Sequence, residues 1–169
     1  MSGELTILDG GMGGELIRRG FPSGGLWSAK ALVEKPEVVR AVHEDYVKAG
    51  ARVIITNSYS TVPSYLAKEN MQSRYVELTT IAARLAREVA DADATGVQVA
   101  GCLPPLSESY RPDLVPDDET SRPIYAEIVK ALSANVDLYI AETMSSVREA
   151  VNAASTARQT DADKPLWVA

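Results

Sequence analysis

The chain has 169 residues, of which 46% are hydrophobic and 24% are charged, as expected for one globular domain with a substantial core. Its formal net charge of −6 and its lack of any run of basic residues argue against nucleic acid and membrane surfaces as partners. The sequence shows no secretory signal, no apolar run of bilayer-spanning length and only one cysteine, so it predicts a cytoplasmic protein without an internal disulfide.

Short apolar segments recur along the chain and are predicted to be β-strands. Their residues are almost continuously apolar rather than alternating with polar ones, which is typical of strands buried on both faces of a parallel sheet. In chain order, the predicted strands are residues 6–9, 53–56, 97–101, 138–141 and 166–168.

Helical patterns lie between the predicted strands, each with apolar residues on one face. These faces are formed by Val39, Val42 and Tyr46; by Leu78, Ile81, Leu85 and Val89; by Ile124, Ile128 and Leu132; and by Val147, Ala150, Val151 and Ala154. Pro36 marks a first helical turn, Gly50 marks a helix C-terminus, and Ser146 with Glu149 marks a capping box. The alternation of strands and helices predicts an α/β fold with a parallel sheet.

Two architectures contain such a sheet, the (β/α)8 TIM barrel and the doubly wound sheet. Polar residues end several predicted strands in succession, at Asp9, at Thr56 with Asn57, and at Glu142. A barrel gathers such strand ends around one site, whereas a doubly wound sheet binds ligands only at its switch point, so a TIM barrel is favoured. Because a barrel needs about 250 residues, residues 1–169 are predicted to be its N-terminal portion, with about the first four and a half βα units.

The segment after the first predicted strand combines a carboxylate with a glycine-rich loop. Asp9 ends the strand, and the next five residues include four glycines. Glycine lets the backbone approach a ligand closely, and a carboxylate suits a cationic group such as the ammonium of an amino acid. Asp9 would repel a phosphate, so a phosphate site is not indicated. The structural alternative is that Asp9 caps the following helix or binds loop amides.

Glu142 ends the fourth predicted strand. A carboxylate that emerges from an apolar run is costly unless it is paired or faces a ligand. Asp9 and Glu142, on strand ends at one face of a barrel, are predicted to hold an amino group from two sides. Two alternatives stay open, a salt bridge to a neighbouring strand end and an acid–base pair of the glycosidase kind.

Four other residues are further candidates for chemistry. Asn57 is a candidate to bind a substrate carboxylate, although an Asx turn or a loop clasp explains it as well. Trp27 is predicted to anchor the packing of the first long loop, with a lid over the substrate as the alternative. His43 is predicted to be structural and remote from the strand ends, and Cys102 to be a small buried residue. One cysteine and one histidine are too few for a zinc site within this chain.

A series of motifs occurs in order over nearly the whole chain. They lie at residues 7–13 (ILDGGMG), 26–29 (LWSA), 36–39 (PEVV), 49–51 (AGA), 56–59 (TNSY), 100–105 (AGCLPP), 109–113 (SYRPD) and 142–143 (ET). Together they resemble the homocysteine S-methyltransferase family, which also includes the betaine-dependent enzymes.

The resemblance implies a (β/α)8 barrel that transfers a methyl group from a sulfonium or ammonium donor to homocysteine, giving methionine. It also implies zinc bound by three cysteine thiolates on later strands, beyond this chain, so the residues present are expected to bind none. Matched position by position, Asp9, Gly10 and Glu142 resemble the family's contacts to the homocysteine amino group, and Asn57 falls in the second-strand motif. Cys102 does not match a zinc ligand of the family.

Three functions remain as alternatives. The first is the N-terminal part of a zinc-dependent homocysteine methyltransferase, with homocysteine and S-methylmethionine, S-adenosylmethionine or betaine as small-molecule partners. The others are a barrel hydrolase that uses its carboxylate pair, and a non-catalytic half-barrel that dimerises to close its sheet. If residues 1–169 are the whole product, the first hypothesis predicts no methyl transfer by this chain alone.

Overall fold

The computed structural model describes residues 5–21, 26 and 28–169. Within these residues the sheet has four strands, all parallel, and neighbours in the sheet follow chain order. They are β1 Val53–Ile55, β2 Gln98–Leu103, β3 Leu138–Ala141 and β4 Leu166–Val168. A doubly wound sheet would reverse its order at a switch point, so the uninterrupted order confirms the barrel arrangement.

The first predicted strand, residues 6–9, lies beside β1 but pairs with it through a single parallel bridge between Leu8 and Val53. Two backbone hydrogen bonds flank this bridge: Asp9 N donates to Val53 O over 2.9 Å, and Arg52 N donates to Ile7 O over 2.8 Å. The segment therefore occupies the predicted place in the sheet without forming a full strand.

Helices separate the strands, and the four longest of those described pack against one face of the sheet. In chain order they are α1 Met12–Arg18, α2 Ala29–Glu34, α3 Pro36–Lys48, α4 Pro63–Leu66, α5 Tyr75–Ala92, α6 Asp118–Ser133 and α7 Val147–Thr160. Short 3-10 turns lie at Ala67–Glu69, Gln72–Arg74 and Pro112–Leu114. In the part of the chain that the structure describes, no helix has the length and apolar character needed to cross a bilayer.

The core divides between the two faces of the sheet. Strand residues such as Ile54, Val99 and Tyr139 pack with α5, α6 and α7, whereas Val53, Ala100, Leu138 and Ile140 form a separate small cluster. Because side chains alternate along a strand, this small cluster lies on the opposite face, which is the interior face of a barrel.

The predicted apolar face of α7 is wrong. Val147 and Val151 are exposed, while the buried face contains Glu149, Asn152, Ala153, Thr156 and Ala157. This face packs on α6, where Asn152 donates to Oδ1 of Asp118 over 2.8 Å and to Oγ of Ser121 over 3.2 Å. Alanines permit close packing of the two helices, and the side-chain amide of Asn152 is satisfied there, so this face is buried in place of the two valines. The Thr156 hydroxyl on the same face has no hydrogen-bond partner among the described residues.

Candidate functional site

A cavity of about 560 Å³ opens at the carboxyl ends of the strands. Its volume is in the range of small-molecule sites. The structure brings the four predicted site residues to this one cavity. The described lining consists of Asp9, Gly10, Gly11, Met12, Gly13, Ser28, Ile55, Thr56, Asn57, Tyr59, Ser60, Tyr65, Ser109 and Glu142.

Asp9 is held against the end of β1. Its Oδ2 accepts a hydrogen bond from Ile55 N over 2.9 Å, and its side chain is only 5% exposed. Burial raises the pKa of Asp9 from 3.8 to about 7; the nearby Glu142 charge adds to the rise, and the Ile55 N–H opposes it. The alternative that Asp9 caps α1 is wrong, because Gly11 is the N-cap residue and α1 has no side-chain cap.

Glu142 follows β3 directly and lines the same cavity as Asp9. Its Oε1 lies 3.0 Å from Sγ of Cys102, which donates to it, and its backbone N donates to Leu103 O over 3.3 Å. The next residue, Thr143, has a φ of 59°, a conformation that is unfavourable for a β-branched residue. The chain therefore turns sharply at the point where Glu142 meets the cavity.

Gly10 is required by close packing. A Cβ atom at this position would lie 2.8 Å from Oη of Tyr46 and 3.0 Å from its Cε1. The Tyr46 hydroxyl donates to Gly11 O over 3.3 Å, so α3 supports the loop directly. The absence of a side chain at Gly10 lets this loop lie against α3 while its backbone faces the cavity.

Asn57 is engaged within the protein as well as lining the cavity. Its Nδ2 donates to Ser28 O over 3.1 Å, and the nearby Ser60 Oγ accepts from Ala29 N over 3.1 Å. The loop after β1 thus clasps the beginning of α2, as the loop-clasp alternative describes. Trp27, the predicted packing anchor in the same region, lies outside the described residues.

Several lining residues were not predicted. Tyr59 and Ser109 share a hydrogen bond with their oxygens 2.6 Å apart, and Tyr65 lines the cavity with them. The nearness of Tyr59 to Asn57 in a strand-end segment was a usable signal. Tyr65 and Ser109 belong to long loops, and no spacing rule predicts which loop residues turn toward a cavity.

His43 is fully buried, and the prediction that it lies remote from the strand ends is wrong. Its Nδ1 lies 4.0 Å from Oδ2 of Asp9. Helix α3 packs behind the loop that contains Asp9 and Gly10, as the Tyr46 contact shows, so a residue in the middle of this helix reaches the strand end. Burial lowers the pKa of His43 from 6.5 to about 4, which favours the neutral imidazole.

The electrostatics of the cavity favour a cationic ligand. Among the described lining residues, Asp9 and Glu142 carry the charged side chains, and neither lysine, arginine nor histidine is present. Burial is the main cause of the raised pKa of Asp9, and repulsion by the Glu142 carboxylate in the same cavity adds to it. A ligand ammonium group relieves this repulsion.

The zinc implied by the resemblance does not fit the residues that the structure describes. These residues contain no group of three or more histidine, cysteine, aspartate or glutamate side chains placed to hold a metal ion. Cys102 is fully buried and in contact with Glu142, and burial raises the pKa of its thiol well above the usual value. A protonated thiol is a poor zinc ligand.

A family model described as homocysteine S-methyltransferase matches residues 6–169. The S-methylmethionine–homocysteine S-methyltransferase of Rattus norvegicus is 35% identical over 163 residues, covering 95% of this chain and 42% of that protein. The homocysteine S-methyltransferase of Escherichia coli is 34% identical over 161 residues, covering 86% of this chain and 52% of that protein. The chain thus spans about half the length of the curated relatives that it matches.

The fold has a solved counterpart. The metallated crystal form of the homocysteine methyltransferase MmuM of Escherichia coli matches with a TM-score of 0.86 and 31% identity. The match covers 99% of this chain and 63% of that chain. The four described strands and their helices therefore correspond to part of that larger structure.

Proposed function

Because the chain belongs to the homocysteine S-methyltransferase family, we propose that it forms the amino-acid-binding part of an enzyme that methylates homocysteine. The proposed reaction moves a methyl group from a sulfonium or ammonium donor to the homocysteine sulfur, giving methionine. The observation that carries this proposal is the convergence of Asp9 and Glu142 on a cavity whose described lining has no basic side chain. The family match favours this function over a hydrolase with a carboxylate pair.

The carboxylates are proposed to hold the amino group of homocysteine. Asp9 is anchored by Ile55 N, and Glu142 by the Cys102 thiol, so both are oriented before a ligand arrives. Charge-assisted hydrogen bonds from an ammonium group to two carboxylates are strong in a site shielded from water. Gly10 lines the cavity beside Asp9, and its lack of a side chain lets this loop lie against Tyr46 of α3.

The methyl donor is proposed to be cationic for the same electrostatic reason. S-methylmethionine, S-adenosylmethionine and betaine all place a positive centre next to the transferred methyl group. Tyr59 and Tyr65 line the cavity, and the faces of aromatic rings attract such centres. The proposal places this reaction in methionine biosynthesis in the cytoplasm. The thiolates that bind the proposed zinc belong to later strands of the barrel.

Calorimetric titration of the chain with L-homocysteine tests the role of the carboxylates. The control ligand is 4-sulfanylbutanoate, which keeps the thiol and the carboxylate but lacks the amino group. We expect homocysteine to bind at least about tenfold more tightly than this control. Equal affinity for the two ligands would show that the amino group is not recognised.

Variants of the two carboxylates complete the test. Asp9→Asn and Glu142→Gln remove one charge each and are expected to weaken homocysteine binding by about 10- to 100-fold. Glu127→Gln is the matched control, because Glu127 is exposed on α6 away from the cavity lining. A loss of affinity in this control equal to that in Asp9→Asn would point to net charge rather than to the site.

A further inference from the structure

His43 carries an unexplained feature. It is fully buried, yet neither Nδ1 nor Nε2 has a hydrogen-bond partner among the residues that the structure describes. Buried polar groups in folded proteins are nearly always satisfied, and an apolar residue of similar size would fill the same space without this cost. Packing alone therefore does not explain why a histidine occupies this position.

The nearest polar group explains the orientation of the ring. Nδ1 of His43 lies 4.0 Å from Oδ2 of Asp9, the same oxygen that accepts from Ile55 N over 2.9 Å. A carboxylate oxygen accepts more than one hydrogen bond, so Oδ2 has room for a second donor. A movement of about 1 Å brings Nδ1 within hydrogen-bond distance.

We propose that His43 is a positioning residue for Asp9: its neutral imidazole, protonated at Nδ1, donates a hydrogen bond to Oδ2 when Asp9 is ionised. The inference deepens the proposed function and rests on it, because a bound ammonium group is what ionises Asp9 in the enzyme. His43 approaches the carboxylate from α3 and does not line the cavity, so it acts through Asp9 and not on the ligand.

The surroundings of Asp9 make such a donor necessary. The titratable groups that face it are Tyr46 and His43 from α3, Cys102 from β2 and Glu142 after β3. None of these is a permanent cation, and Glu142 opposes ionisation of Asp9. Burial keeps His43 neutral near physiological pH, so it offers an N–H without adding a charge that would compete with the ligand ammonium.

The test is a carbon-13 NMR titration of the Asp9 carboxyl group in the full chain. His43→Leu removes the donor, whereas His43→Asn keeps an amide N–H close to the position of Nδ1. We expect the Asp9 pKa to rise by about one unit in His43→Leu and by clearly less in His43→Asn. A purely structural role for His43 would change stability without moving this midpoint, so an unchanged midpoint in His43→Leu overturns the proposal.

A second measurement needs no variant and decides the question if His43→Leu does not fold. Nitrogen-15 NMR of the wild-type ring above pH 8, where Asp9 is ionised, is expected to show the proton on Nδ1. A proton on Nε2 would contradict the proposal. Neither measurement uses homocysteine. A failure of homocysteine to bind would therefore count against the proposed function only, and the NMR titration would still decide the role of His43.

Discussion

Cys102 and Glu142 form a partly buried contact at the cavity, in which the Sγ of Cys102 donates to Oε1 of Glu142 over 3.0 Å. Burial is the main cause of the raised thiol pKa, and the negative charges of Glu142 and Asp9 increase it further. The thiol therefore stays protonated and holds one carboxylate oxygen in place. The single cysteine of the chain thus supports the cavity lining through Glu142.

This contact predicts that Cys102 is unreactive in the folded protein. The reactive species is the thiolate, and both burial and the neighbouring carboxylates disfavour it. Ellman's reagent at pH 8 is expected to label the native chain at a small fraction of the rate of the denatured chain. Denaturation should release one thiol per chain, which is the internal control. Rapid labelling of the native chain would contradict the burial of the Cys102 thiol.

Gly10 and Gly11 provide a matched pair for testing the loop. A Cβ at Gly10 would lie 2.8 Å from Oη of Tyr46, whereas a Cβ at Gly11 would meet no described atom within 4 Å. Gly10→Ala is expected to lower the free energy of unfolding by about 1–3 kcal/mol through overpacking. Gly11→Ala should change it by less than about 0.5 kcal/mol.

Chemical denaturation of the two variants measures the difference. Adding Tyr46→Phe to Gly10→Ala removes the hydroxyl that makes the shortest contact, so part of the lost stability should return. Equal stability of Gly10→Ala and Gly11→Ala would show that the loop moves away from Tyr46 without cost.

Much of the fold was predictable from local patterns. The predicted bounds of β3 and β4 are confirmed, because each is a short apolar run that begins after polar or turn residues, Asp137 for β3 and Lys164 with Pro165 for β4. The face of α7 was not predictable from hydrophobicity alone. Asn152 is buried there because partners on α6 satisfy its side-chain amide, and those partners are 31 and 34 positions earlier in the chain.

The residues of the site also differ in whether the local sequence or the tertiary packing determines their position. Asp9 and Glu142 were identifiable because each ends an apolar run, and parallel strands gather their carboxyl ends at one edge. The position of His43 beside Asp9 could not be identified from the sequence, because the distance between the two residues depends on how α3 packs behind the glycine loop. Spacing along one helix carries no information about which loop lies across from it.

Glu149 is predicted to stabilise the loops near the cavity. It is 2% exposed; its Oε1 accepts from Leu106 N over 3.3 Å, and its Oε2 accepts from Ser145 N over 3.0 Å. Glu149→Ala leaves the buried Leu106 N–H and the partly buried Ser145 N–H without this partner and should lower the free energy of unfolding by about 2–4 kcal/mol. The exposed Glu127 on the neighbouring α6 is the control, and Glu127→Ala should cost less than about 0.5 kcal/mol.

Hydrogen exchange distinguishes this role from a general loss of helix stability. Relative to the wild type, Glu149→Ala should accelerate the exchange of the Leu106 and Ser145 amide hydrogens more than the exchange of amide hydrogens in the middle of α5. Uniform acceleration across the chain would indicate global unfolding and contradict a local tie between the two loops.

Asp9 and His43 are predicted to give opposing pH dependences of stability. The pKa of Asp9 rises from 3.8 to about 7 on folding, so between these pH values the folded chain holds a proton on Asp9 that the unfolded chain has released. The contribution of Asp9 to the unfolding free energy is therefore lost as pH increases through about 7. The pKa of His43 falls from 6.5 to about 4, so its contribution is present above 6.5 and is lost as pH falls toward 4. Between pH 4 and 6.5 the two effects offset each other.

Single variants separate these two contributions. Asp9→Asn removes the titration of Asp9, so only His43 contributes to the pH dependence of this pair. Compared with the wild type, the unfolding free energy of this variant should increase by up to about 1.4 kcal/mol per pH unit as pH rises from 4.5 to about 6. His43→Asn leaves the Asp9 effect, and its unfolding free energy should fall with pH at a similar rate. Urea denaturation at several pH values measures both slopes. Parallel pH profiles for the two variants would contradict the opposite titration of these neighbouring buried groups.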